Sequence, residues 1–358
     1  MIYTTPTVSP TLRRQLAEHD KLHDQLHAAI ANSGPWLRQL RRQLRAEVVE
    51  SSVSIEGFTL PTGEAVPIVA GTATSDPRDR DRMAVTGYAR ALDHVGVMAA
   101  DLDFQWSRQA LLDLHFDACH FQRDRSPGSL RTGQIAVTGP DGTLVYQAPT
   151  ADEVPGLLAE TVAWLDHGDL DVHPTVRAAM AHLHIASIHP FRDGNGRVAR
   201  IVQSLVLARA RRLSPEFNSI EEHLGRLTGE YYSGLQRVQG GRYQPERDAT
   251  PWVRLCVGAH LEQTRRRLGQ VKSAVRRWET LEQFAAKHMW PGRAVIAMEH
   301  SLVSEIDRSV YATEADISLA TATSDIRRLV DAGLVTQKGR AGSTRYTATE
   351  RLRDLVRS

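Results

Sequence analysis

The run from Ile188 to Arg200, IHPFRDGNGRVAR, constrains this 358-residue chain more than any other feature. Apolar residues recur at helical spacing before and after it, which predicts one helix on each side. Pro190 has no backbone N–H and disfavours the α region for His189, so we expect the first helix to end there. The run is therefore predicted to be a tight loop that leads into the N-terminus of the second helix.

The residues at the start of that second helix suit the binding of phosphate. A helix N-terminus offers unpaired N–H groups and the positive end of the helix dipole. Gly194 and Gly196 lack a Cβ atom, so their backbone amides can approach an anion closely. Arg197 and Arg200 share roughly one helix face, and each guanidinium can donate two hydrogen bonds to a phosphate. Together these residues predict an anion-binding cradle.

Two more side chains in the run supply the other parts of a transfer reaction. The Asp193 carboxylate is a hard oxygen ligand of the kind that holds Mg²⁺ together with substrate phosphates. His189 can take a proton near neutral pH. Taken alone, a Gly-Asn-Gly sequence is most often a turn, and a histidine before proline is most often structural. Their combination indicates phosphoryl or nucleotidyl transfer.

The same run matches the signature His-x-Phe-x-Asp/Glu-Gly-Asn-Gly-Arg-x-x-Arg, so the chain resembles Fic-domain proteins. The resemblance implies a helical core that transfers AMP from ATP to a Tyr, Ser or Thr hydroxyl of a protein. It implies that His189 is the base and that Asp193 holds Mg²⁺. It also implies that Asn195 orients phosphate, that Arg197 neutralises charge on the leaving group, and that Arg200 holds the γ-phosphate.

A second motif, from Ser51 to Gly57, ends a helical segment near the N-terminus. Ser52 and Glu56 lie one turn apart on one helix face, and glycine suits the position after a helix C-terminus. By itself this is a polar helix end capped by glycine. In Fic proteins, however, Ser/Thr-x-x-x-Glu-Gly/Asn is an inhibitory signature. The resemblance implies that Glu56 pairs with Arg200 through a bidentate contact, that Ser52 helps to fix the helix, and that the protein is autoinhibited in cis.

Residues 131–147 predict a β-hairpin, because two β-rich runs flank the turn sequence Pro-Asp-Gly. Without further context it is either a surface decoration or a functional element. The Fic resemblance implies that it is the flap, which docks an extended segment of the target protein by strand addition. The implied docking residues are Gln134, Ile135, Ala136 and Val137. Backbone pairing tolerates many sequences, so the flap does not identify the target.

A further helix is predicted from Glu221 to Val238. In Fic proteins a side chain from this region often contacts the adenine, which makes Tyr232 a candidate for nucleotide binding. A tyrosine of the hydrophobic core is the alternative. A long helix from Pro251 to about Phe284 is predicted to follow.

The last part of the chain, residues 286–358, has a different character. Three short helical segments, the second beginning at Ala315, precede two β-like segments joined by a glycine-containing loop, and this order resembles a winged helix. From Asp325 to Ser358 there are eight Lys or Arg against four Asp or Glu, an excess that suits contact with a DNA backbone. Winged helices also bind proteins or dimerise, so DNA, a protein partner and a homodimer remain open.

Composition limits the remaining choices. The chain is 41% hydrophobic and 24% charged, as is usual for a globular protein, and its net charge of +2 indicates no particular partner. No apolar run is long enough to suggest a membrane span. Its two cysteines do not make a disulfide framework, so we expect a cytoplasmic protein.

We therefore predict a mostly α-helical chain in which a Fic core with a β-hairpin flap precedes a winged-helix domain. The predicted parts are an N-terminal helical region (1–100, with the inhibitory helix at about 40–57), the Fic core (101–245), a connecting helical region (246–285) and the winged helix (286–358). The predicted function is transfer of AMP from ATP to a target protein and to the chain itself. Some Fic relatives bind the nucleotide the other way round and transfer phosphate, but the intact Gly194–Arg197 sequence favours AMP transfer. The alternative of a different class is a DNA-binding regulator whose Fic core is an ATP-sensing or self-modifying switch.

Overall fold

In a computed structural model, the structure describes residues 1–31, 34–61, 63–71, 73, 76, 78–139, 141–210, 213–339 and 344–357. These residues form a mostly α-helical protein with two small β-hairpins, which confirms the predicted fold class of a helical protein with a hairpin. In chain order the elements are α1 (Pro10–Ala31), α2 (Trp36–Ile55), α3 (Ala65–Val69), α4 (Arg80–Ala100), α5 (Arg108–Cys119), a 3-10 turn (Arg123–Arg125), β1 (Ala136–Thr138), β2 (Leu144–Gln147), α6 (Val154–His167), α7 (Pro174–Ile188), α8 (Asn195–Arg209), α9 (Pro215–Asn218), α10 (Glu221–Arg226), α11 (Thr228–Gln239), α12 (Thr250–Lys287), α13 (Ala294–Val303), α14 (Arg308–Ala315), α15 (Leu319–Asp331), β3 (Val335–Lys338), β4 (Arg345–Ala348) and α16 (Glu350–Arg357).

The chain divides into two compact units. One contains Met1–Asp24 and Leu44–Arg266, and the other contains Gln25–Gln43 and Arg267–Ser358. These two units are defined by contacts between residues and not by what the residues do. The four-part division predicted from the sequence therefore stays a prediction.

The core of the first unit is built around α7 and α8, which pack against each other. Nearly all of α7 is buried, and its alanines allow the neighbouring helix to approach closely. The helix begins at Pro174, which suits the first turn, and the Nδ1 atom of His173 accepts a hydrogen bond from the backbone N–H of Thr175. Helix α8 also packs against α4 and α5. The loop between α7 and α8 is therefore held by buried helices on both sides.

The hairpin of β1 and β2 lies on this core. The strands are antiparallel, with Ala136 opposite Gln147 and Val137 opposite Tyr146. The buried Tyr146 hydroxyl donates a hydrogen bond of 2.6 Å to the backbone oxygen of Ser187 near the end of α7. This contact fixes the hairpin beside the loop that follows α7. The first strand is shorter than the predicted β-rich run from Arg131, and the turn residue Pro140 lies outside the described residues.

The single helix predicted from Glu221 to Val238 is wrong. Helix α10 ends at Arg226 and α11 begins at Thr228, with Leu227 between them in a non-helical conformation. The Thr228 hydroxyl donates to the backbone oxygens of Leu224 and Gly225. Such local side-chain bonds compete with regular helical hydrogen bonding, which a propensity pattern does not register.

The second unit contains α13 to α16 and the hairpin of β3 and β4. The prediction that its second helix begins at Ala315 is wrong, since α14 ends there and Asp316 follows in a left-handed conformation. Its true start is capped by Asp307, whose carboxylate accepts a hydrogen bond of 2.8 Å from the N–H of Val310. The loop residues 340–343 between β3 and β4 lie outside the described residues. Assignment of this unit as a winged helix stays a prediction.

Within the described part of the chain, no helix combines the length and the apolar character that crossing a membrane requires.

Candidate active site

His189 follows α7 directly and adopts a left-handed conformation, with φ 52° and ψ 57°. The sequence predicts the helix end correctly, but the residue preceding a proline is ordinarily extended and not left-handed. This conformation costs a non-glycine residue on the order of 1–3 kcal/mol and requires support from its surroundings. The backbone supplies that support, because the His189 N–H donates to Ile185 O at 3.0 Å and its carbonyl accepts from Arg131 Nε at 2.8 Å.

The His189 ring is oriented by a hydrogen bond of 3.0 Å between its Nδ1 atom and the backbone oxygen of Ala186. A carbonyl only accepts, so we assign the ring proton to Nδ1, which leaves the lone pair on Nε2. Burial lowers the pKa of His189, while the Ala186 contact opposes that shift and the Arg131 charge adds to it. The ring is therefore neutral at pH 7, as a general base must be.

The loop between His189 and α8 is held by its own side chains. Phe191 is fully buried, and its ring stacks on the ring of His115 with 3.8 Å between the centroids. The Asn195 amide accepts from the Phe191 N–H and donates to the Phe191 oxygen, both at 2.9 Å. The oxygen and the nitrogen of the Asn195 amide thus both bond within the loop. In this structure the side chain therefore stabilises the turn.

The Asp193 carboxylate lies at the rim of this loop and is 39% exposed. One oxygen accepts from the Gly194 N–H at 2.6 Å, and the other accepts from Gln122 Nε2 at 2.7 Å. A single oriented carboxylate beside a backbone cradle fits Mg²⁺, which usually binds through one or two carboxylates and substrate phosphates. Gly194 itself has φ 78°, a conformation that suits glycine.

Arg197 is buried and held by its neighbours. Its guanidinium donates to Gln122 Oε1 at 2.7 Å and to the Ala118 carbonyl at 3.3 Å, and it lies 3.8 Å from the Asp193 carboxylate. The ring of Phe58 lies against the guanidinium, 5.5 Å from centroid to Cζ. A cation held in this way is preorganised for charge that develops nearby.

Arg200, one turn further along α8, is also buried. Its Nη2 atom donates to Glu56 Oε1 at 2.8 Å and to the Ser52 carbonyl at 3.0 Å, and its Nε atom donates to the Ser52 hydroxyl at 2.8 Å. The Nη1 atom has no hydrogen-bond partner among the described residues. The predicted bidentate pair is therefore a single carboxylate contact, and Ser52 binds the arginine itself in addition to its place in the helix.

The Glu56 carboxylate also lies against the beginning of α8. A Cβ atom added to Gly196 would lie 2.5 Å from Glu56 Oε1 and 3.3 Å from Arg200 Nη1. Only a residue without a side chain leaves room for the carboxylate at this place. Glu56 therefore covers the Gly196 side of the predicted anion cradle.

Tyr232 lies beside the C-terminal end of α2 and not in the core. Its side chain is 48% exposed, and its hydroxyl donates to the backbone oxygen of Ile55 at 3.2 Å. Burial of the hydroxyl raises the pKa of Tyr232 to about 12. The buried tyrosine of α11 is its neighbour Tyr231.

The predicted docking residues occupy the first strand of the hairpin and the segment just before it. Gln134 Nε2 donates to the carbonyl of Ala148 at 2.7 Å, and the Ile135 carbonyl accepts from the Ala148 N–H at 3.2 Å. Strand β1, which contains Ala136 and Val137, pairs with β2 on one side, and no other strand of the described chain pairs with it. One edge of β1 is therefore available for an added strand.

Three buried residues of this site were missed by the sequence analysis, namely His115, Gln122 and Arg131. His115 Nε2 donates to the Asp193 carbonyl at 3.0 Å, and its Nδ1 accepts from the Gly128 N–H. All three lie more than 50 positions from the loop they hold. Only His115, a polar side chain within the apolar segment 111–116, gave a signal in the sequence, and that signal does not reveal its partner.

Another polar cluster in this unit, His19, Asp20 and His173, has ligand atoms close enough for a metal ion. However, His173 Nδ1 accepts the Thr175 N–H, so the ring proton lies on Nε2 and is donated to Asp20 at 3.0 Å. The His173 ring then has no lone pair for a metal at this point. The contact instead joins α1 to the start of α7.

Comparison with known proteins agrees with this geometry. The Fic/DOC family model matches residues 105–207. The chain is 29% identical over 276 residues to protein adenylyltransferase fic-1 of Caenorhabditis elegans, covering 76% of this chain and 50% of the relative. It is 28% identical over 221 residues to protein adenylyltransferase Fic of Drosophila melanogaster, covering 58% and 41%. The chain thus spans half or less of the length of these curated relatives.

Solved structures of Fic family proteins have a similar fold. A Fic family protein from Desulfovibrio desulfuricans superposes with a TM-score of 0.63 at 21% identity, covering 96% of this chain and 98% of that one. A form of C. elegans Fic-1 with a glutamate-to-glycine substitution superposes with a TM-score of 0.58 at 25% identity, covering 75% and 74%.

Proposed function

This chain carries a Fic domain in residues 105–207, and from that premise we propose that it is a protein adenylyltransferase. It transfers AMP from ATP to a Tyr, Ser or Thr hydroxyl of a target protein and of itself. The observation that carries this proposal is the loop between α7 and α8, which places a neutral imidazole directly before a glycine turn and a helix N-terminus. Only four residues, 190–193, thereby separate the proposed base from the first glycine of the anion cradle.

In the proposed reaction, the Nε2 atom of His189 takes the proton of the target hydroxyl. The hydroxyl oxygen forms a bond with the α-phosphorus of ATP as the bond from that phosphorus to the bridging oxygen breaks, and pyrophosphate leaves. The backbone at Gly194 and Gly196 faces the phosphates, and Arg197 neutralises charge on the leaving group. Mg²⁺, which Asp193 would hold, supplies further charge neutralisation when bound.

We propose that the protein is autoinhibited in cis. Arg200 is the residue that would hold the γ-phosphate, and in this structure it donates to Glu56 and Ser52 instead. The Glu56 carboxylate brings negative charge to the place that a phosphate would occupy beside Gly196. ATP then competes with a tethered carboxylate for the same guanidinium.

We propose roles for Tyr232 and the hairpin that are based on their positions. The ring of Tyr232, which is half-exposed beside the end of α2, is proposed to contact the adenine. The target segment is proposed to pair with the free edge of β1. Residues Gln134 to Val137 would then set the register of the target segment.

Labelled ATP separates AMP transfer from phosphate transfer. The Glu56→Gly form is incubated in lysate of its own cell with ATP labelled at the α-phosphate, and in parallel with ATP labelled at the γ-phosphate. AMP transfer labels protein only in the first reaction. Label from the γ-phosphate would assign the chain to the relatives with inverted nucleotide binding, and absence of both would overturn the proposal.

The alternative function, a DNA-binding regulator, depends on the second unit. Arg327 is exposed on α15, the helix that precedes the hairpin, as a residue contacting DNA would be. Other basic side chains of the unit face acids, with Lys338 3.0 Å from Glu305 and Arg345 2.6 Å from Asp307. These ion pairs reduce the basic excess counted in the sequence, so we favour the enzyme.

A salt titration of the full chain with duplex DNA tests the alternative. Binding that weakens steeply with salt and is lost in Arg327→Ala would support it, because phosphate contacts release counterions. Binding that is absent at 50 mM salt would eliminate it.

Compartment and assembly are the last parts of the proposal. Both cysteines, Cys119 and Cys256, are buried and unpaired, which fits a reducing compartment, so we place the protein in the cytoplasm. A homodimer stays a prediction, which light scattering of the purified chain would test.

A further inference from the structure

Arg131 lies just before the hairpin of β1 and β2 and is 6% exposed. Its guanidinium donates to three backbone carbonyls: Nε to His189 at 2.8 Å, Nη1 to Gly133 at 2.9 Å and Nη2 to Pro149 at 2.6 Å. Its own N–H donates to the Pro190 carbonyl at 3.0 Å. No carboxylate accepts from this guanidinium among the described residues.

The three carbonyls belong to two functional elements. Gly133 precedes β1 and Pro149 follows β2, so two arms of the guanidinium hold both ends of the hairpin. The third arm holds the carbonyl of His189, the residue with the left-handed backbone. Because a guanidinium is planar and rigid, these three contacts fix the hairpin and the histidine at a constant distance from each other.

We propose that Arg131 is the positioning residue that sets the His189 imidazole relative to the docking strand β1. This inference rests on the proposed function, in which β1 holds the target and His189 takes its proton. The target hydroxyl is placed by one element and the base by another, so their relative position decides whether the proton can transfer. A displacement of about 1 Å at such a site can lower a rate on the order of 100-fold.

The charge of Arg131 acts on the same histidine. Its proximity lowers the pKa of His189, in addition to the larger effect of burial. Replacement of Arg131 by methionine removes both the carbonyl contacts and the charge. Replacement by lysine keeps the charge but cannot hold three carbonyls with one planar group.

Arg177 provides a matched control. It also lies in a partly buried site where burial lowers the pKa of the guanidinium, and it also donates to backbone carbonyls, with Nε 3.0 Å from Gly168 and Nη2 3.3 Å from Trp164. A third contact joins it to Leu165. It contacts neither the hairpin nor His189, so its loss reports what removing a partly buried carbonyl-binding arginine does by itself.

The experiment compares Arg131→Met, Arg131→Lys and Arg177→Met in the full chain that also carries Glu56→Gly. Three quantities are measured: the pKa of His189 by NMR titration of its ring, the affinity for ATP, and kcat for AMP transfer corrected for the folded fraction. We expect Arg131→Met to raise the pKa of His189 toward its ordinary value and to lower kcat on the order of 100-fold, with ATP affinity unchanged. Arg131→Lys is expected to keep the low pKa but still lower kcat, and Arg177→Met to change neither.

Arg131 would be only a support for the fold if Arg131→Lys kept full kcat, or if Arg177→Met lowered kcat and shifted the His189 titration as much as Arg131→Met. If Arg131→Met fails to fold, kcat of Arg131→Lys still shows whether Arg131 positions His189 or only supports the fold. If no form transfers AMP, including the parent, the proposed function fails, while the NMR titration still shows whether Arg131 governs the His189 ring.

Discussion

The carboxylate of Glu56 accepts a hydrogen bond of 2.8 Å from the guanidinium of Arg200, 144 positions further along the chain. The arginine is buried, and Ser52 binds it from the same helix as Glu56. The same carboxylate lies against Gly196 at the start of α8. One acidic side chain thus covers both the guanidinium and the backbone turn that we propose for binding ATP phosphates.

Removal of this carboxylate should activate the protein. In Glu56→Gly, Arg200 becomes available to the γ-phosphate, and a hydrogen bond between charged groups contributes about 1.5–3 kcal/mol. We therefore expect self-modification with α-labelled ATP to increase at least about tenfold. Ser54→Ala is the control, because Ser54 lies on the same helix but its hydroxyl donates to the backbone oxygen of Ser51 and not to Glu56 or Arg200. Equal labelling of Glu56→Gly, Ser54→Ala and the unsubstituted protein would show that Glu56 does not restrain AMP transfer.

Loss of the proposed base should abolish transfer without preventing ATP binding. His189→Ala is expected to lower kcat by about 10²–10⁴-fold, the usual contribution of a general base, while calorimetry finds the same affinity for ATP. His120→Ala is a matched control, since His120 Nδ1 also bonds to a carbonyl three residues earlier, at 3.1 Å. A fully active His189→Ala protein would refute the assignment.

The pH profile of AMP transfer should follow from the lowered pKa of His189, and removal of the Glu56 charge, which opposes that shift, should only lower the pKa further. The base acts in its neutral form, and a lowered pKa keeps it neutral until the pH falls further. The rate should therefore still exceed half of its maximum at pH about 6.5, the ordinary histidine value, and reach half of its maximum only below that pH. Rates measured from pH 5 to 8 with the Glu56→Gly form check this, and a half-maximal rate above pH about 6.5 would contradict it.

Substitution of Gly196 by alanine should have opposite effects on stability in two backgrounds. With Glu56 present, the new Cβ would lie 2.5 Å from its carboxylate, which must move and weaken its bond to Arg200. We expect a loss of about 1 kcal/mol in the free energy of unfolding. In Glu56→Gly the carboxylate is absent and only the end of the Arg200 side chain, 3.3 Å from the new Cβ, must shift, so alanine in a helix should stabilise by up to about 1 kcal/mol relative to glycine.

Urea unfolding of the four proteins in this cycle measures the coupling between the two positions. The same sign of change in both backgrounds would mean that the carboxylate does not lie against Gly196 in solution.

Buried histidines should make the first unit unstable to mild acid. Burial lowers the pKa of His115 to about 4 and those of His182 and His184 to about 3. Between these values and about 6.5 the unfolded chain binds protons that the folded chain does not, so stability falls as pH falls through that range. Three such groups contribute at most about 4 kcal/mol per pH unit.

Urea midpoints at pH 7, 6 and 5 check this decline, and His184→Leu should reduce its slope because one of the buried rings with a lowered pKa is removed. A stability that is constant from pH 7 to 5 would mean that these rings are hydrated in the folded protein.

Local patterns gave most of the helical architecture, and their failures have identifiable causes. Helices α7 and α8 and the turn between them were predictable because Pro174, Pro190 and Gly194 act through their own backbones. The break at Leu227 was missed because it depends on how one threonine hydroxyl competes for carbonyls. The left-handed conformation of His189 was missed because contacts to distant residues outweigh its local preference.

The sequence alone determined which groups make the centre of the proposed site, because the proposed base, the carboxylate, the glycines and both arginines lie within one turn and one helix start. It also nominated Glu56, through a motif and not through a contact. Only the tertiary structure decided which groups surround that centre, including Ser52 on Arg200, Gln122 between Asp193 and Arg197, and Arg131 on His189. The physical reason is distance along the chain. These partners lie 58 to 148 positions from the loop they hold, and they meet it only because α2, α5 and the hairpin pack around α7 and α8.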